Sequence, residues 1–388
     1  MGAIAVPKLI KRKLVTVEIK LLVLMTFDVS LAAWAQQGII HRELAIYRRI
    51  AERGISVTLL TFGGEDDQLF AAHAPEIEII PVYATTKRPK RFFPRVLKSF
   101  LLPLIFHNKF RAATILKTNQ LYGGWVLVLA RILFQKKLIV RCGYEFVSAA
   151  RDTGATRTRL FLMRSLSKLT FSFATHAILS SRRMASHVER EYGLGRKNIS
   201  VIGNSVNLAR FHPSGERTNS RALFVGRLER VKNLQLIIDS ARVADIGVDI
   251  VGDGRDRDTL ERYAKQQEVD CLFHGIVKNE DLPELLNRCL VFVMVSVSEW
   301  LPKALIEAMA CGCTVIGSDA PGIRELLIDK ENGLLVQPSV KMLGKALMDV
   351  RDDPTRHDQL GKNARAFVER EFSLEGLVER EINLYESL

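Results

Sequence analysis

The sequence predicts an α/β chain made of two doubly wound parallel-sheet units that face each other across a cleft. Three observations predict it. The 388 residues, 47% of them hydrophobic, suffice for two separate cores. Short apolar runs alternate with longer amphipathic runs, the pattern of parallel strands joined by crossover helices. The charge also changes sign along the chain. Residues 203–388 carry 24 Lys and Arg against 30 Asp and Glu, whereas the first 202 carry 32 against 13. Opposite signs on the two halves point to two units with different partners.

In the first half, strands are expected at Lys20–Thr26, Ser56–Thr61, Ile77–Val82, Thr114–Thr118, Lys137–Arg141, Ala177–Ser180 and Ile199–Ile202. Helical patterns fall at Gly38–Arg53, Gly124–Phe134, Arg157–Phe171 and Arg182–Tyr192. The second half repeats the rhythm. Its strands are Ala222–Val225, Val248–Val251, Cys271–His274, Val291–Val295, Thr314–Gly317 and Leu334–Val336. Its helices are Leu234–Val243, Asp256–Gln267, Asp281–Asn287, Lys303–Ala310, Ile323–Ile328 and Val340–Arg351. Pro213, Ser214, Gly215, Thr218, Asn219 and Ser220 cluster between the halves. The expected division is therefore 1–202 and 203–369, with the helical stretch 370–388 packing back on the first unit. Ligands of such sheets bind at the carboxyl ends of the strands.

Composition narrows the class. A charged fraction of 26% argues against wholesale disorder. The five cysteines (Cys142, Cys271, Cys289, Cys311 and Cys313) form no paired CxxC elements, which fits a reduced, cytoplasmic compartment. No apolar run reaches membrane-spanning length. The run Leu21 to Phe27 lacks a cleavage site and reads as the first buried strand, not as a signal peptide.

Between Glu78 and Glu145 there is no acidic residue but there are 13 Lys or Arg. Phe92, Phe93, Leu97, Phe100, Leu101 and Leu104 interleave there with Arg88, Arg91, Arg95 and Lys98. Cations set among aromatic and aliphatic anchors suit an anionic membrane surface. The bland alternative is a core helix with a solvated basic edge. No nucleic-acid motif accompanies the patch, so no nucleic-acid partner is expected.

The segment richest in chemistry runs from Ser296 to Pro338. A buried strand ends near Ser296, Glu299 follows in a loop, Pro302 stands where a helix begins, and Glu307 lies inside that helix. Proline fits a first turn, because its missing N–H has no partner there anyway. The amides of Lys303, Ala304 and Leu305 then face outward at a positive helix end, which suits phosphate. Glu307 can accept from ribose hydroxyls and Glu299 from sugar hydroxyls. On their own, two glutamates at this spacing read equally well as a capped helix with solvated carboxylates.

The segment resembles the signature of glycosyltransferase family 4, the retaining GT-B enzymes. Glu299, Glu307, Ala308-Met309-Ala310-Cys311-Gly312, Ser318-Asp319, Gly322-Ile323-Arg324-Glu325 and Asn332-Gly333 carry the likeness. Further parts follow the family's order. Phe224-Val225-Gly226-Arg227-Leu228 and Lys232-Asn233-Leu234 resemble the element that supplies an Arg and a Lys to the donor diphosphate. Val251-Gly252-Asp253-Gly254 resembles the second strand and loop, and Phe273-His274-Gly275-Ile276 the loop near the nucleobase. His274 by itself reads as structural.

There are departures from the family pattern. Trp300 replaces a usual Gly, and stands where it would crowd or stack on the donor sugar. Thr314 replaces a Pro, Asn204-Ser205-Val206-Asn207 replaces Asn-Gly-Val-Asp, and Gln37-Gly38 replaces a Gly-Gly loop. Arg141-Cys142-Gly143-Tyr144-Glu145 occupies the place of a common His.

The resemblance implies a GT-B fold, two Rossmann-like domains facing across a cleft. It implies a retaining hexosyltransferase-type glycosyltransferase that moves a sugar from a nucleoside-diphosphate sugar to a glycan or lipid-linked acceptor. Cell-surface polysaccharide or lipopolysaccharide biosynthesis, at the inner face of the cytoplasmic membrane, would be its setting. Glu299, Arg227 and Lys232 are the expected catalytic residues. Gly226, Gly252, Gly254, His274, Gly275, Ile276, Pro302, Lys303, Ala304, Leu305 and Glu307 join them around the donor. Gly38, Arg141 and Glu145 are expected at the acceptor. Two cations on the leaving diphosphate do the work of a metal, and Asp256-Arg257-Asp258 falls in a helical pattern, so no metal or cofactor is expected. The alternatives are a nucleotide-sugar epimerase of the same fold, an NAD-dependent oxidoreductase using Gly252-Asp253-Gly254, and a non-catalytic membrane-surface binder.

Overall fold

Runs of aliphatic residues buried on both faces make the strands of two fully parallel sheets, as expected where helices cover both sides. The computed structural model describes residues 18–144, 147, 150, 154–215 and 217–388. The first sheet contains β1 (Lys20–Leu24), β2 (Ser56–Thr61), β3 (Ile77–Pro81), β4 (Ile115–Thr118), β5 (Lys137–Cys142), β6 (His176–Leu179) and β7 (Ile199–Val201). The second contains β8 (Ala222–Val225), β9 (Val248–Val251), β10 (Cys271–Gly275), β11 (Val291–Met294), β12 (Val315–Ser318) and β13 (Leu334–Val336).

The strand orders are β3-β2-β1-β4-β5-β6-β7 and β10-β9-β8-β11-β12-β13. The winding therefore reverses between β1 and β4 in the first sheet and between β8 and β11 in the second. Such reversals open a crevice at the carboxyl ends of the flanking strands.

The Leu374–Ser387 helix returns to the first unit. Leu374, Leu377, Val378 and Tyr385 are buried in the core that surrounds β1, β4 and β5. The crossing is stitched by backbone bonds: Val206 N–H donates to the Phe372 carbonyl at 2.9 Å and Leu374 N–H to the Val206 carbonyl at 3.0 Å. Glu381, fully buried on this helix, pairs with Lys117 of β4, with Arg141 of β5 at 3.0 Å and with the Tyr385 hydroxyl. Burial works against its ionised carboxyl, but Lys117 and Arg141 outweigh burial and hold Glu381 below the ordinary carboxylate range. A buried ion cluster of this kind fixes where a helix docks more than it adds to stability.

Two elements differ from the sequence reading. The expected Ile323–Ile328 helix is only Pro321–Arg324, because Asn332 takes over the following backbone. Its side chain accepts from Ile328 N–H at 2.7 Å and donates to the Leu326 carbonyl at 3.0 Å. The basic segment is also no single helix. It breaks into Phe92–Ser99, Leu102–Ile105 and His107–Ala112, with Pro103 opening the second piece.

Candidate active site

The loops after β8 and β11 flank the reversal of the second sheet, and glycines let the β8 loop touch the β9 loop beside it. A Cβ on Gly252, whose φ is +127°, would lie 1.9 Å from the Gly226 carbonyl oxygen. One on Gly254 would lie 2.4 Å from that of Leu228. The bare backbones instead hydrogen bond: Gly226 N–H to the Val251 carbonyl and Leu228 N–H to the Asp253 carbonyl, both at 3.0 Å. These glycines pack the β8 and β9 loops together. The β8 loop then turns through Arg230–Lys232 and the left-handed Asn233, which aims Lys232 at the neighbouring β11 loop. Its ammonium donates to Glu299 Oε1 at 2.5 Å, with both side chains largely buried. Arg227, on the same loop, is 64% exposed and pairs with Glu229 at 2.9 Å.

After Glu299 the chain enters the Lys303–Ala310 helix. Pro302 is its N-cap and provides no side-chain hydrogen bond. Glu307 is 3% exposed and accepts from Asn279 Nδ2 at 2.9 Å and from Arg42 Nη1 at 3.3 Å. Arg42 belongs to the Ile40–Glu52 helix of the first unit, so the bond crosses between the units. A second bond crosses beside it, from Lys303 to Glu43. Burial alone would raise the Glu43 carboxyl, but Lys303 and Arg42 outweigh it and hold the group at about 2. Gly38, left-handed at φ +66°, brings the first unit's loop against the second, and its carbonyl accepts from Asn279 N–H at 3.0 Å. A cavity of about 150 Å³ opens beside these contacts, lined by His41, Arg42, Arg48, Arg210, Asn279 and Glu307 among others.

The structure thus brings Lys232 to Glu299, sets Arg227 on the same loop as Lys232, and puts Pro302, Lys303, Ala304, Leu305 and Glu307 on the adjoining helix. Gly275 accepts from Gly252 N–H at 2.7 Å, and Ile276 beside it is exposed.

Three further positions make contacts that bear on their roles. His274 Nε2 lies 3.1 Å from Asp249, which also holds Arg221 just before β8. Arg141 borders the cleft and pairs there with Glu381 at 3.0 Å and with the Gly203 carbonyl at 3.2 Å. The Trp300 ring centroid lies 4.6 Å from the Arg183 guanidinium carbon and 5.7 Å from the His187 ring. Glu145 lies outside the described residues.

Sequence reasoning missed Arg42, Glu43 and Asn279. Arg42 and Glu43 sit in an amphipathic helix whose charges look like any solvated face, and only the docking of the second unit distinguishes them. Among the described residues, no group of three or more His, Cys, Asp or Glu side chains could hold a metal ion.

The exterior of the first unit carries a second feature. Phe92, Phe93, Leu97, Leu101, Leu104 and Ile105 are all exposed within the basic segment. Among the described residues no helix is long and apolar enough to cross a membrane.

Comparison with known proteins follows the same division. Residues 210–367 match the profile of glycosyl transferases group 1, and residues 44–210 match that of glycosyltransferase family 4. The N,N'-diacetylbacillosaminyl-diphospho-undecaprenol alpha-1,3-N-acetylgalactosaminyltransferase of Campylobacter jejuni is 26% identical over 294 residues, covering 71% of this chain and 75% of that protein. An uncharacterized glycosyltransferase of Methanocaldococcus jannaschii is 26% identical over 190 residues, and the chain spans only 53% of its length.

Among solved structures, sucrose-phosphate synthase from Thermosynechococcus elongatus superposes with a TM-score of 0.78 at 23% identity, over 95% of this chain and 98% of that one. HepE of Anabaena, solved with UDP and glucose, superposes with a TM-score of 0.74 at 18% identity, over 95% and 100%. At these identities the structural likeness establishes the fold, which is GT-B.

Proposed function

Because the chain belongs to glycosyltransferase family 4 and has the GT-B fold, we propose that this glycosyltransferase moves a sugar from a nucleoside-diphosphate sugar to a glycan or lipid-linked acceptor. Transfer proceeds with retention at the anomeric carbon. The observation that carries the reading is the Lys232–Glu299 pair at the reversal of the second sheet, next to the start of the Lys303–Ala310 helix and tied to the first unit through Arg183.

Each residue then has a chemical task. Lys232 and Arg227 neutralise the charge that grows on the departing diphosphate, and the amides of Lys303, Ala304 and Leu305 add dipolar donors to the same oxygens. No metal is needed for this, because the two cations offset the charge themselves. Glu299 accepts from hydroxyls of the transferred sugar, which frees Lys232 for the phosphate when donor arrives. Glu307, already held by Asn279 and Arg42, accepts from the ribose. The crevice between the units limits the water that would otherwise hydrolyse the donor.

A UDP-sugar is the first donor to test, since HepE binds UDP and glucose. The acceptor belongs at the loops after β1 and β4, the reversal of the first sheet. The exposed apolar and basic strip from Phe92 to Ile105 supports an acceptor held at an anionic membrane surface, as does the lipid-linked acceptor named for the Campylobacter relative.

The test is thermal melting of the full chain with UDP-, GDP- and ADP-sugars, because a ligand that binds only the folded state raises its midpoint. One donor class should raise it, and Arg227→Ala should remove the rise. If no nucleotide sugar shifts the midpoint, the donor site is wrongly assigned.

A further inference from the structure

We propose that Trp300, Arg183 and Glu325 form a clasp through which the first unit positions the Glu299 loop, making them positioning residues for sugar transfer. The proposal rests on the donor-site reading above. It begins with an anomaly: a tryptophan follows Glu299, on a tight loop where family resemblance leads one to expect glycine.

The structure gives that ring an occupation. Arg183 lies in the Arg182–Tyr192 helix of the first unit, and its Cζ sits 4.6 Å over the Trp300 ring. The same guanidinium donates through Nη1 to the Glu299 backbone carbonyl at 3.0 Å. A guanidinium set over an indole and hydrogen bonded to a carbonyl is more strongly fixed than either contact alone would make it.

The helix that carries Arg183 is itself held from the second unit. The Glu325 carboxylate accepts from Arg182 N–H at 2.9 Å and from Arg183 N–H at 3.0 Å. It satisfies two orphan donors at a positive helix end with a negative group. Three residues before Glu325, Gly322 packs directly on the Glu299 carbonyl, and a Cβ there would lie 2.2 Å from that oxygen.

The contacts therefore close a ring. Glu299 leads to Arg183, Arg183 to the start of its helix, that helix start to Glu325, and Glu325 through the Gly322 turn back to Glu299. On the far side, Asn204 Nδ2 donates to the Leu301 carbonyl at 2.7 Å. The Glu299 backbone is thus gripped from both sides by groups outside its own loop, while its side chain meets Lys232. Separation of the units breaks the ring at Arg183 and lets that carboxylate wander. The donor constellation is then complete only while the first unit is docked.

The experiment uses the full chain with Trp300→Gly, Trp300→Phe, Arg183→Ala and Arg183→Lys. The substrate is whichever of UDP-glucose, UDP-N-acetylglucosamine and GDP-mannose the wild type turns over, read as released nucleoside diphosphate. Trp300→Gly and Arg183→Ala should lower kcat by about 10- to 100-fold, the scale for a misplaced catalytic group, with donor KM changed by no more than about threefold. Trp300→Phe and Arg183→Lys should recover most of the loss. Wild-type kcat in Trp300→Gly, or a loss that tracks the fraction of folded protein across the set, overturns the clasp.

Hydrogen exchange without substrate gives a second arm. The backbone amides of residues 299–301 should exchange faster in Arg183→Ala, and unchanged protection overturns the proposal. Wild-type turnover in Glu299→Gln overturns the donor-site reading instead, whatever the clasp variants do.

Discussion

The Arg42 guanidinium, carried by the first unit, reaches the Glu307 carboxylate of the second at 3.3 Å, where that carboxylate is almost wholly buried. A buried anion that loses its cation is costly. Arg42→Ala should therefore lower the melting midpoint by several degrees, and Glu307→Ala should raise the donor KM about tenfold through the lost ribose contact. Melting curves and donor titrations of the two variants check this. An unchanged midpoint in Arg42→Ala would show that solvent compensates Glu307.

Lys232 and Glu299 act as a pair, so each should be needed. Lys232→Met should lower kcat by about 100- to 1,000-fold, the range for removal of one transition-state donor. Glu299→Gln should leave nucleoside-diphosphate binding intact while lowering turnover. On the proposal that Lys232 and Arg227 meet the diphosphate charge, EDTA should leave the rate unchanged. Steady-state kinetics with and without chelator decide both points.

Acid should weaken the buried ion pairs that join the units and seat the returning helix. Glu43 is held at about 2 and Glu381 is held below its ordinary value of 4.5. Groups whose folded pKa is depressed stabilise the fold above the unfolded value and lose that contribution as pH falls toward the folded one. Stability should therefore decline from pH 4.5 downward, and the decline should be smaller in Glu43→Gln. Melting midpoints between pH 3 and 7 measure it. An equal decline in Glu43→Gln would remove this carboxylate from the explanation.

Gly322→Ala should be damaging out of proportion to its size. Its Cβ would fall 2.2 Å from the Glu299 carbonyl oxygen, and backbone on both sides must move. A cost of about 1–3 kcal/mol is expected for such overpacking, together with a fall in kcat, since the displaced backbone is that of Glu299. Denaturant unfolding and turnover assays of the variant test it; a neutral result would mean that the loop yields freely.

Vesicle binding should depend on both charge and apolar anchors. Phe93→Asp combined with Leu97→Asp removes two exposed anchors and adds repulsion from an anionic surface. Sedimentation with phosphatidylglycerol vesicles should fall at least fivefold, roughly 1 kcal/mol or more, and neutral phosphatidylcholine vesicles should bind neither protein. Equal sedimentation of variant and wild type would remove the membrane from the proposal.

Much of this was legible in the sequence. Every expected strand is present within a residue or two, because an apolar run flanked by turn residues has few other ways to bury itself. Glu299, Lys232, Glu307 and the helix start were legible from motif spacing, since they lie on neighbouring loops of one sheet. The role of Trp300 was not. From sequence it stands next to a glutamate expected at the sugar, and only the Arg182–Tyr192 helix, more than a hundred residues earlier, shows where its ring goes. The contact of His274 was hidden for a related reason. A residue on a strand can face either end of its neighbours' polar network, and Asp249 with Arg221 decides which.

The sequence by itself determined the two parallel sheets, their order along the chain and the loops proposed to bind the donor, because strand periodicity, glycine turns and helix starts are local properties of the chain. Tertiary structure alone decided the pairing of Arg42 with Glu307, Lys303 with Glu43 and Lys117 with Glu381. Each joins groups about 260 residues apart. Such pairs leave no periodic trace, since a charged side chain on an amphipathic helix looks the same whether it meets water or a buried carboxylate. The docking of one unit on the other, and the desolvation it brings, selects which charges become part of the site.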